Sequence, residues 1–161
     1  ERETDGREPS VRCINFGLDG MQSFSFTLEE ERSAVLVPAG QVGTYLYEPN
    51  ASVLKAGAFK QIAVRTGVKK LQVNSHLYTS DHLVSDFPGR RFRVDEVLSF
   101  TGKLCKGLSK TIPQANITVR NFPLSVEELR KRTKITDGGH VYLFATTLVD
   151  GEKVLVKCSK A

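Results

Sequence analysis

The segment from Arg90 to Lys134 constrains the fold most strongly, because its hydrophobic pattern changes from strand to helix and back again. Residues 92–100 have the composition and pattern of a strand. In the next stretch Leu104, Leu108 and Ile112 recur at steps of four, which is typical of the apolar face of a helix. A second strand and a second helix follow. The segment therefore predicts strand, helix, strand and helix in that order.

Capping residues indicate where these helices begin and end. Thr101 precedes the first helix, and Pro113 ends it because proline lacks a backbone N–H and clashes with the preceding turn. The second helix opens with Ser125 and Glu128, a capping box in which the two side chains satisfy free backbone N–H groups. The turn Asp150-Gly151 predicts a hairpin of two further strands. The second half is thus predicted to run β-α-β-α-β-β.

The residues ahead of Arg90 predict a separate small α/β module. In residues 11–16 and 22–26 apolar and polar side chains alternate, which predicts two paired strands. Thr27 and Glu30 then form a second capping-box pattern, which explains the acidic run that follows Leu28 without a metal site. Residues 50–65 predict a single amphipathic helix.

The composition changes near residues 85–91, where Pro88 and Gly89 predict a loop. We therefore predict an α+β protein made of two small α/β modules, the first at residues 1–89 and the second at residues 90–161. The 161 residues of the chain allow this division, although each of the two cores would be small.

Charge divides the chain at the same place. Residues 1–89 hold 9 Lys and Arg against 11 Asp and Glu, a net charge of −2, whereas residues 90–161 hold 14 against 7, a net charge of +7. Such an asymmetry predicts modules with different partners. We expect the acidic half to be scaffold and the basic half to bind a polyanion. A basic surface that serves only solubility is the alternative.

Composition also limits the cellular setting. No stretch approaches the roughly 18 apolar residues of a membrane span, and the N-terminus lacks the apolar core of a signal peptide. The three cysteines form no C-x-x-C pair, so we expect reduced thiols in a cytoplasmic protein without a structural zinc site. Because the sequence begins without methionine, we expect a piece of a longer protein.

Basic residues of the second half form the strongest candidate binding site. Lysines at steps of three and four line one face of a helix, where they can neutralise phosphates. The candidate RNA-binding residues are Lys103, Lys106, Lys110, Arg120, Arg130, Lys131 and Lys134. Base-specific reading would need exposed aromatic side chains for stacking, whereas the aromatic residues here lie in strand positions typical of a core. The pattern favours recognition of the backbone or shape of RNA.

Two other groups could carry catalysis. His76 and His82 lie close in sequence to Asp81 and Asp86, so a base–carboxylate pair or a metal site could be drawn from them. Cys105 lies on the apolar side of the lysine-bearing helix. A polar loop and a buried thiol are the favoured interpretations. A small enzyme that uses these groups is the alternative.

Several segments resemble a known protein family. Tyr45–Gly57 and His76–Ser80 resemble the C-terminal region of bacterial S-adenosylmethionine-dependent methyltransferases, in which a methyltransferase domain is followed by a ferredoxin-like module and a THUMP-like domain. The segments that are similar to the THUMP-like part are Phe92–Val94, Lys103-Leu104, Ile117–Arg120 and Glu128–Arg130. The resemblance covers nearly the whole chain.

The resemblance implies a ferredoxin-like first module, complete or cut short at its start, and a THUMP-like second module. It implies a parent transferase that uses S-adenosylmethionine and modifies RNA, either tRNA or rRNA, because THUMP domains are linked to tRNA modification. The sequence itself has no glycine-rich cofactor turn and no Asn/Asp-Pro-Pro-aromatic motif. We therefore expect a non-catalytic region without a cofactor of its own.

The resemblance also predicts the partners. RNA and the chain's own methyltransferase domain are the expected ones, and no membrane is expected. The alternative is a protein-interaction module whose basic face packs against that methyltransferase domain or against another subunit.

Overall fold

The computed structural model describes residues 8–18 and 20–161. Within them the strands, in chain order, are β1 Ser10–Gly17, β2 Gly20–Thr27, β3 Tyr45–Pro49, β4 Lys69–Lys70, β5 Tyr78–Ser80, β6 Gly89–Ser99, β7 Asn116–Arg120, β8 Tyr142–Thr147 and β9 Lys153–Lys160. The helices are α1 Leu28–Ser33, α2 Ala51–Ala56, α3 Phe59–Thr66, α4 Gly102–Thr111 and α5 Val126–Thr133. No helix in the described ranges is long and apolar enough to cross a membrane.

The first two strands form a hairpin that is separate from the main sheet. They are antiparallel, and Cys13 of β1 pairs with Phe24 of β2. Both residues are buried with Phe26 in a first hydrophobic cluster. The prediction of two paired strands is confirmed, while Asp19 of the predicted turn lies outside the described residues.

The other seven strands form one sheet in the order β4-β5-β3-β6-β9-β8-β7. Neighbouring strands are antiparallel except β7 and β8, which are parallel. β3 pairs with β6 along its whole length, from Tyr45 opposite Arg93 to Pro49 opposite Gly89. Strands on both sides of residue 89 therefore share a single sheet. The order β-α-β-α-β-β predicted for the second half is confirmed.

The helices lie on one face of this sheet. In β8, Leu143 and Ala145 join a cluster with Leu108 of α4 and Leu129 of α5. Towards the other end of the sheet, α2, α3 and the hairpin pack on Tyr47 of β3 in the first cluster. Because side chains alternate along a strand, both helix pairs cover the same side.

The opposite face is concave, because the sheet curls around it. Leu77, just ahead of β5, lies in one cluster with Phe144 of β8 and Val156 of β9, although β5 stands far from β8 and β9 in the strand order. Between the same two regions, the hydroxyl of Ser75 donates to the carbonyl of Thr147 at 2.7 Å. The segment between β4 and β5 thus closes over the far strands.

The capping predictions are confirmed. Thr27 with Glu30 and Ser125 with Glu128 both form complete capping boxes, at the starts of α1 and α5. The Thr101 hydroxyl accepts a hydrogen bond from the backbone N–H of Leu104 at the start of α4. These ends are set by local contacts, which is why the sequence predicted them.

The prediction of one helix at residues 50–65 is wrong. The chain ends α2 at Gly57, where φ is 74°, and begins α3 two residues later. This left-handed conformation closes a helix and favours glycine. A Cβ atom at Gly57 would meet nothing within 4 Å, so backbone conformation rather than crowding requires glycine here.

Candidate functional site

The α4 helix separates apolar and basic side chains. Cys105 and Leu108 are buried against the sheet. Because successive residues of a helix are rotated by about 100°, Lys103, Lys106 and Lys110 fall on the side opposite to these two residues. All three lysines are exposed. The predicted lysine face of this helix therefore points away from the core.

The α5 helix packs beside α4 on the same face of the sheet. Leu129 and Thr133 are its buried residues, and Lys131 lies on the opposite side, exposed. Lys134 ends the helix with a φ of 63° and is also exposed. The outward sides of both helices thus carry lysine.

Five of the seven predicted residues form what we name the lysine face: Lys103, Lys106, Lys110, Lys131 and Lys134. Within the part of the chain that the structure describes, none of them forms a salt bridge. No described carboxylate lies within salt-bridge distance of these ammonium groups, although exposed Glu127 stands four residues before Lys131 on the same side of α5. The lysine face therefore has a net positive charge.

The other two predicted residues have partners inside the protein. Arg120 lies 3.1 Å from Glu48. Arg130 lies 2.9 Å from Asp137 and donates to the backbone carbonyls of Ala115 and Ile135. Arg130 therefore fixes the C-terminal end of α5 to the segment that follows α4.

Glu48 is the buried centre of an ion cluster whose two arginine side chains are partly exposed. It is 8% exposed. One of its oxygens accepts hydrogen bonds from Nε and Nη2 of Arg90 at 2.9 and 2.7 Å, and the other accepts from Arg120. The Arg90 guanidinium also lies over the Phe92 ring, 5.2 Å from its centroid. Such a carboxylate serves the fold, because it neutralises two cations that the sheet brings together.

Arg132 is a basic residue that the predicted site omitted. Burial raises the pKa of the Cys105 thiol, and the positive charge of Arg132 opposes that rise. The charge of Arg132 on α5 therefore acts on the Cys105 thiol of the neighbouring helix α4. The sequence carried a signal, since Arg132 stands three residues after buried Leu129 and one before buried Thr133.

The candidate catalytic groups lie in different parts of the structure. His76 stacks on Phe59 at 4.1 Å between ring centroids. His82 and Asp81 line an open cavity of about 1010 Å³ that neither His76 nor Cys105 borders. Cys105 is buried beneath α4. Among the described residues, no group of three or more His, Cys, Asp or Glu could hold a metal ion.

A buried lysine lies beside His76. Lys70 is 1% exposed, donates to the carbonyl of Val73 at 2.6 Å, and lies 4.7 Å from the centroid of the Phe59 ring. Burial lowers its pKa to about 8, and the charge of Glu31 opposes this shift. Burial, together with the charges of Lys70 and Arg120, also lowers the pKa of His76. Both groups therefore favour their neutral forms more than they would in water.

The strand-to-helix connections do not suit S-adenosylmethionine. A glycine-rich turn between strand and helix lets a cofactor approach the backbone closely. Among the described residues, β3 meets α2 through Asn50 and β6 meets α4 through Phe100 and Thr101, with Gly102 as the one glycine at either junction. These two junctions therefore lack the glycine-rich turn that such a cofactor would need.

Two family matches divide most of the chain between them. A family described as a ferredoxin-like domain matches residues 45–88. A family described as THUMP domain-like matches residues 89–160. No curated protein that was compared with the chain matches it.

A solved structure is similar to nearly the whole chain. It is the crystal structure of a candidate methyltransferase from Porphyromonas gingivalis W83, with 48% sequence identity and a TM-score of 0.90. The likeness covers 94% of this chain and 38% of that one. The chain thus spans less than half the length of that protein.

Proposed function

We propose that this chain, which belongs to the ferredoxin-like and THUMP-like domain families, is the substrate-holding region of a methyltransferase and binds structured RNA along its lysine face. In this proposal residues 1–89 are scaffold and residues 90–161 hold the RNA. The chemistry, with S-adenosylmethionine, belongs to the remainder of the protein.

The observation that carries the proposal is the lysine face itself. Lys103 and Lys110 stand about 10 Å apart along the axis of α4, since each residue adds about 1.5 Å. A nucleic-acid backbone presents several phosphates over that distance. Lys131 and Lys134 extend the positive surface onto the neighbouring helix, and no described carboxylate pairs with any of them.

The phenylalanine side chains of residues 90–161 support recognition of shape rather than of bases. Phe92 and Phe144 are buried. Phe100 and Phe122 pack edge to face, with ring centroids 4.9 Å apart, and are only partly exposed. Because base reading in single-stranded RNA relies on exposed aromatic rings, we propose a structured tRNA or rRNA as the substrate.

A cytoplasmic location fits the same proposal. Cys13, Cys105 and Cys158 are all buried and free. Free thiols are typical of reducing compartments such as the cytosol.

The test is RNA affinity after loss of three lysines. We expect K103A/K106A/K110A to bind tRNA or rRNA fragments at least tenfold more weakly than the parent chain, with a salt slope smaller by about 2 to 3. The control K55A/K69A/K153A removes the same charge from exposed lysines elsewhere and should change affinity much less. If both variants lost the same affinity, net charge alone would explain the binding. If K103A/K106A/K110A lost no affinity, the lysine face would be excluded as the RNA-binding surface.

A second candidate function follows from the extent of the solved relative. Because the chain corresponds to 38% of that protein, the lysine face could instead pack against the methyltransferase domain or another subunit. In that case the lysines would be shielded in the full-length protein without RNA. A pull-down between this chain and the rest of the protein, with and without nuclease treatment, separates the two functions.

A further inference from the structure

The β1–β2 hairpin carries apolar side chains that the rest of the described chain leaves uncovered. Phe16 pairs with Met21 across the hairpin, and the two are 80% and 54% exposed. Ile14 lies two residues before Phe16 on the same side and is also exposed. Leu18, beside the turn, is fully exposed. We name these four residues the apolar hairpin face.

The hairpin is held in place from its other side. Cys13, Phe24 and Phe26 are buried in the first cluster. Nearer the turn, the side-chain oxygen of Gln22 accepts a hydrogen bond from the Asn50 amide at 2.8 Å. The apolar hairpin face is therefore displayed by an anchored element.

This face differs from an ordinary solvent-exposed sheet surface. The outer side of an antiparallel pair is usually polar. From Cys13 to Phe26 the sequence has one charged residue, Asp19. A contiguous apolar patch on an anchored hairpin is typical of a surface that another protein surface covers.

The comparisons indicate which surface that is. The ferredoxin-like match begins at residue 45, so the hairpin precedes both matched domains. The likeness to the solved methyltransferase-type protein nevertheless covers 94% of the chain, which includes much of the segment ahead of residue 45. Most of that longer protein has no counterpart in this chain and is available to cover the patch.

We infer that the apolar hairpin face docks onto an apolar surface of the methyltransferase domain in the full-length protein. This inference rests on the methyltransferase association in the proposed function and not on RNA binding by the lysine face. The inference gives the hairpin and the lysine face different functions. The hairpin fixes the region to the catalytic domain and leaves the lysine face open.

Met21 provides a direct readout, because it is the single methionine of this chain. Exposed methionine is oxidised to the sulfoxide by peroxide. Trypsin releases it in a peptide between Arg12 and Arg32, where mass spectrometry can follow it. We expect Met21 to be oxidised at least fivefold more slowly in the full-length, nuclease-treated protein than in this chain alone.

Two variants test the contact in the full-length protein. Phe16→Ser removes an exposed ring beside Met21 and should return the oxidation rate towards that of the isolated chain. Ser23→Ala, an exposed position on the same side of the hairpin, should leave the protection unchanged. Because neither side chain is buried, we expect both variants to unfold at the parent's temperature and to bind RNA with the parent's affinity.

Three results would overturn the inference. Equal oxidation rates in the full-length protein and the isolated chain would show that the domain does not cover the hairpin. Protection in the isolated chain that grows with its concentration would identify a second copy as the occupant. Protection that appears only when RNA is added would identify RNA. Each can occur with the RNA affinity of the lysine face intact, so the two proposals fail separately.

Discussion

The Arg120 guanidinium lies 3.1 Å from a carboxylate oxygen of Glu48, although 72 residues separate them along the chain. Glu48 belongs to β3, and Arg120 ends β7, the last strand in the sheet order. The other Glu48 oxygen holds Arg90 at the start of β6. One buried carboxylate therefore joins the far edge of the curled sheet to its middle, and the region matched as ferredoxin-like to the region matched as THUMP-like.

We predict that Glu48→Gln destabilises the protein. The variant keeps the shape of the side chain but leaves the two guanidinium groups without the anion that they share. Breaking a buried ion pair costs about 3–5 kcal/mol. The Arg90 and Arg120 side chains are 51% and 36% exposed, so solvent screens part of their interaction with Glu48. We therefore expect the free energy of unfolding to fall by about 1–3 kcal/mol. Urea unfolding, monitored by circular dichroism, measures this change in stability.

Asp137→Asn is the matched control for that prediction. It removes a carboxylate from Arg130, but the Asp137 side chain is 83% exposed. Exposed ion pairs contribute about 0–1 kcal/mol, so the free energy of unfolding should hardly change. Similar losses in the two variants would mean that Glu48 does not hold the sheet together.

A second prediction concerns pH and Lys70. Its pKa is about 8 in the folded protein, against 10.5 for an ordinary lysine. Between those values the unfolded chain binds more protons than the folded one, so this residue makes the free energy of unfolding rise with pH. Lys70→Met lacks the titrating amine. Its stability relative to the parent should therefore fall between pH 8 and 10.5, by up to about 3 kcal/mol.

The measurement for Lys70 is paired denaturation of parent and variant at several pH values. Other groups that titrate in the same range are common to both proteins, so their contributions cancel in the difference. The variant also loses the hydrogen bond to Val73, which shifts the difference at every pH equally. If the difference in the free energy of unfolding stayed constant from pH 8 to 10.5, the pKa of Lys70 would not be lowered in the folded protein.

Elements fixed by neighbouring residues could be predicted from the sequence. The caps at Thr27, Thr101 and Ser125 bond to backbone groups three residues away, so the local pattern contains all the information that they need. The stripe of buried residues on α4 follows from helical periodicity in the same way. The break at Gly57 was missed because apolar periodicity continues across it, while the left-handed turn depends on how both short helices pack.

Contacts between distant segments could not be predicted in this way. Glu48 and Arg120 meet only because the sheet curls, which no local pattern encodes. The same is true of Arg130, which looks like its neighbour Lys131 in sequence but points inward to Ala115 and Asp137. Sequence periodicity therefore predicts which lysines point outward from α4, but it does not separate them from Arg120 and Arg130, whose charges the fold uses.

A third prediction contrasts two glycines. A Cβ atom on Gly89 would clash with the backbone oxygen of Glu48, where β3 and β6 approach closely. Gly89→Ala should therefore destabilise the protein by about 1–3 kcal/mol or more. Gly107 lies inside α4 with nothing within 4 Å of such an atom, so Gly107→Ala should stabilise by about 0.5–1 kcal/mol. Thermal unfolding measures the stability of both variants. A lower unfolding temperature for Gly107→Ala would contradict the open space that the structure shows beside Gly107.

A fourth prediction separates fold from function on α5. Arg130 is 22% exposed in its side chain and donates to three oxygens, whereas the adjacent Lys131 is exposed and has no described ion pair. Arg130→Ala leaves those oxygens without their donor and should cost about 1–3 kcal/mol of stability. At temperatures where it remains folded, it should bind RNA within about twofold of the parent, because its charge is already paired.

Lys131→Ala should behave in the opposite way. Its unfolding temperature should match that of the parent, while its RNA affinity falls and its salt slope decreases by about 0.7 to 0.9, as expected for one lost phosphate contact. Both variants remove a single positive charge from adjacent positions, so each controls for the other. The contrary result would be that Arg130→Ala weakens RNA binding as much as Lys131→Ala does while both variants are fully folded. That result would show that Arg130 leaves Asp137 in the complex and contacts the RNA itself.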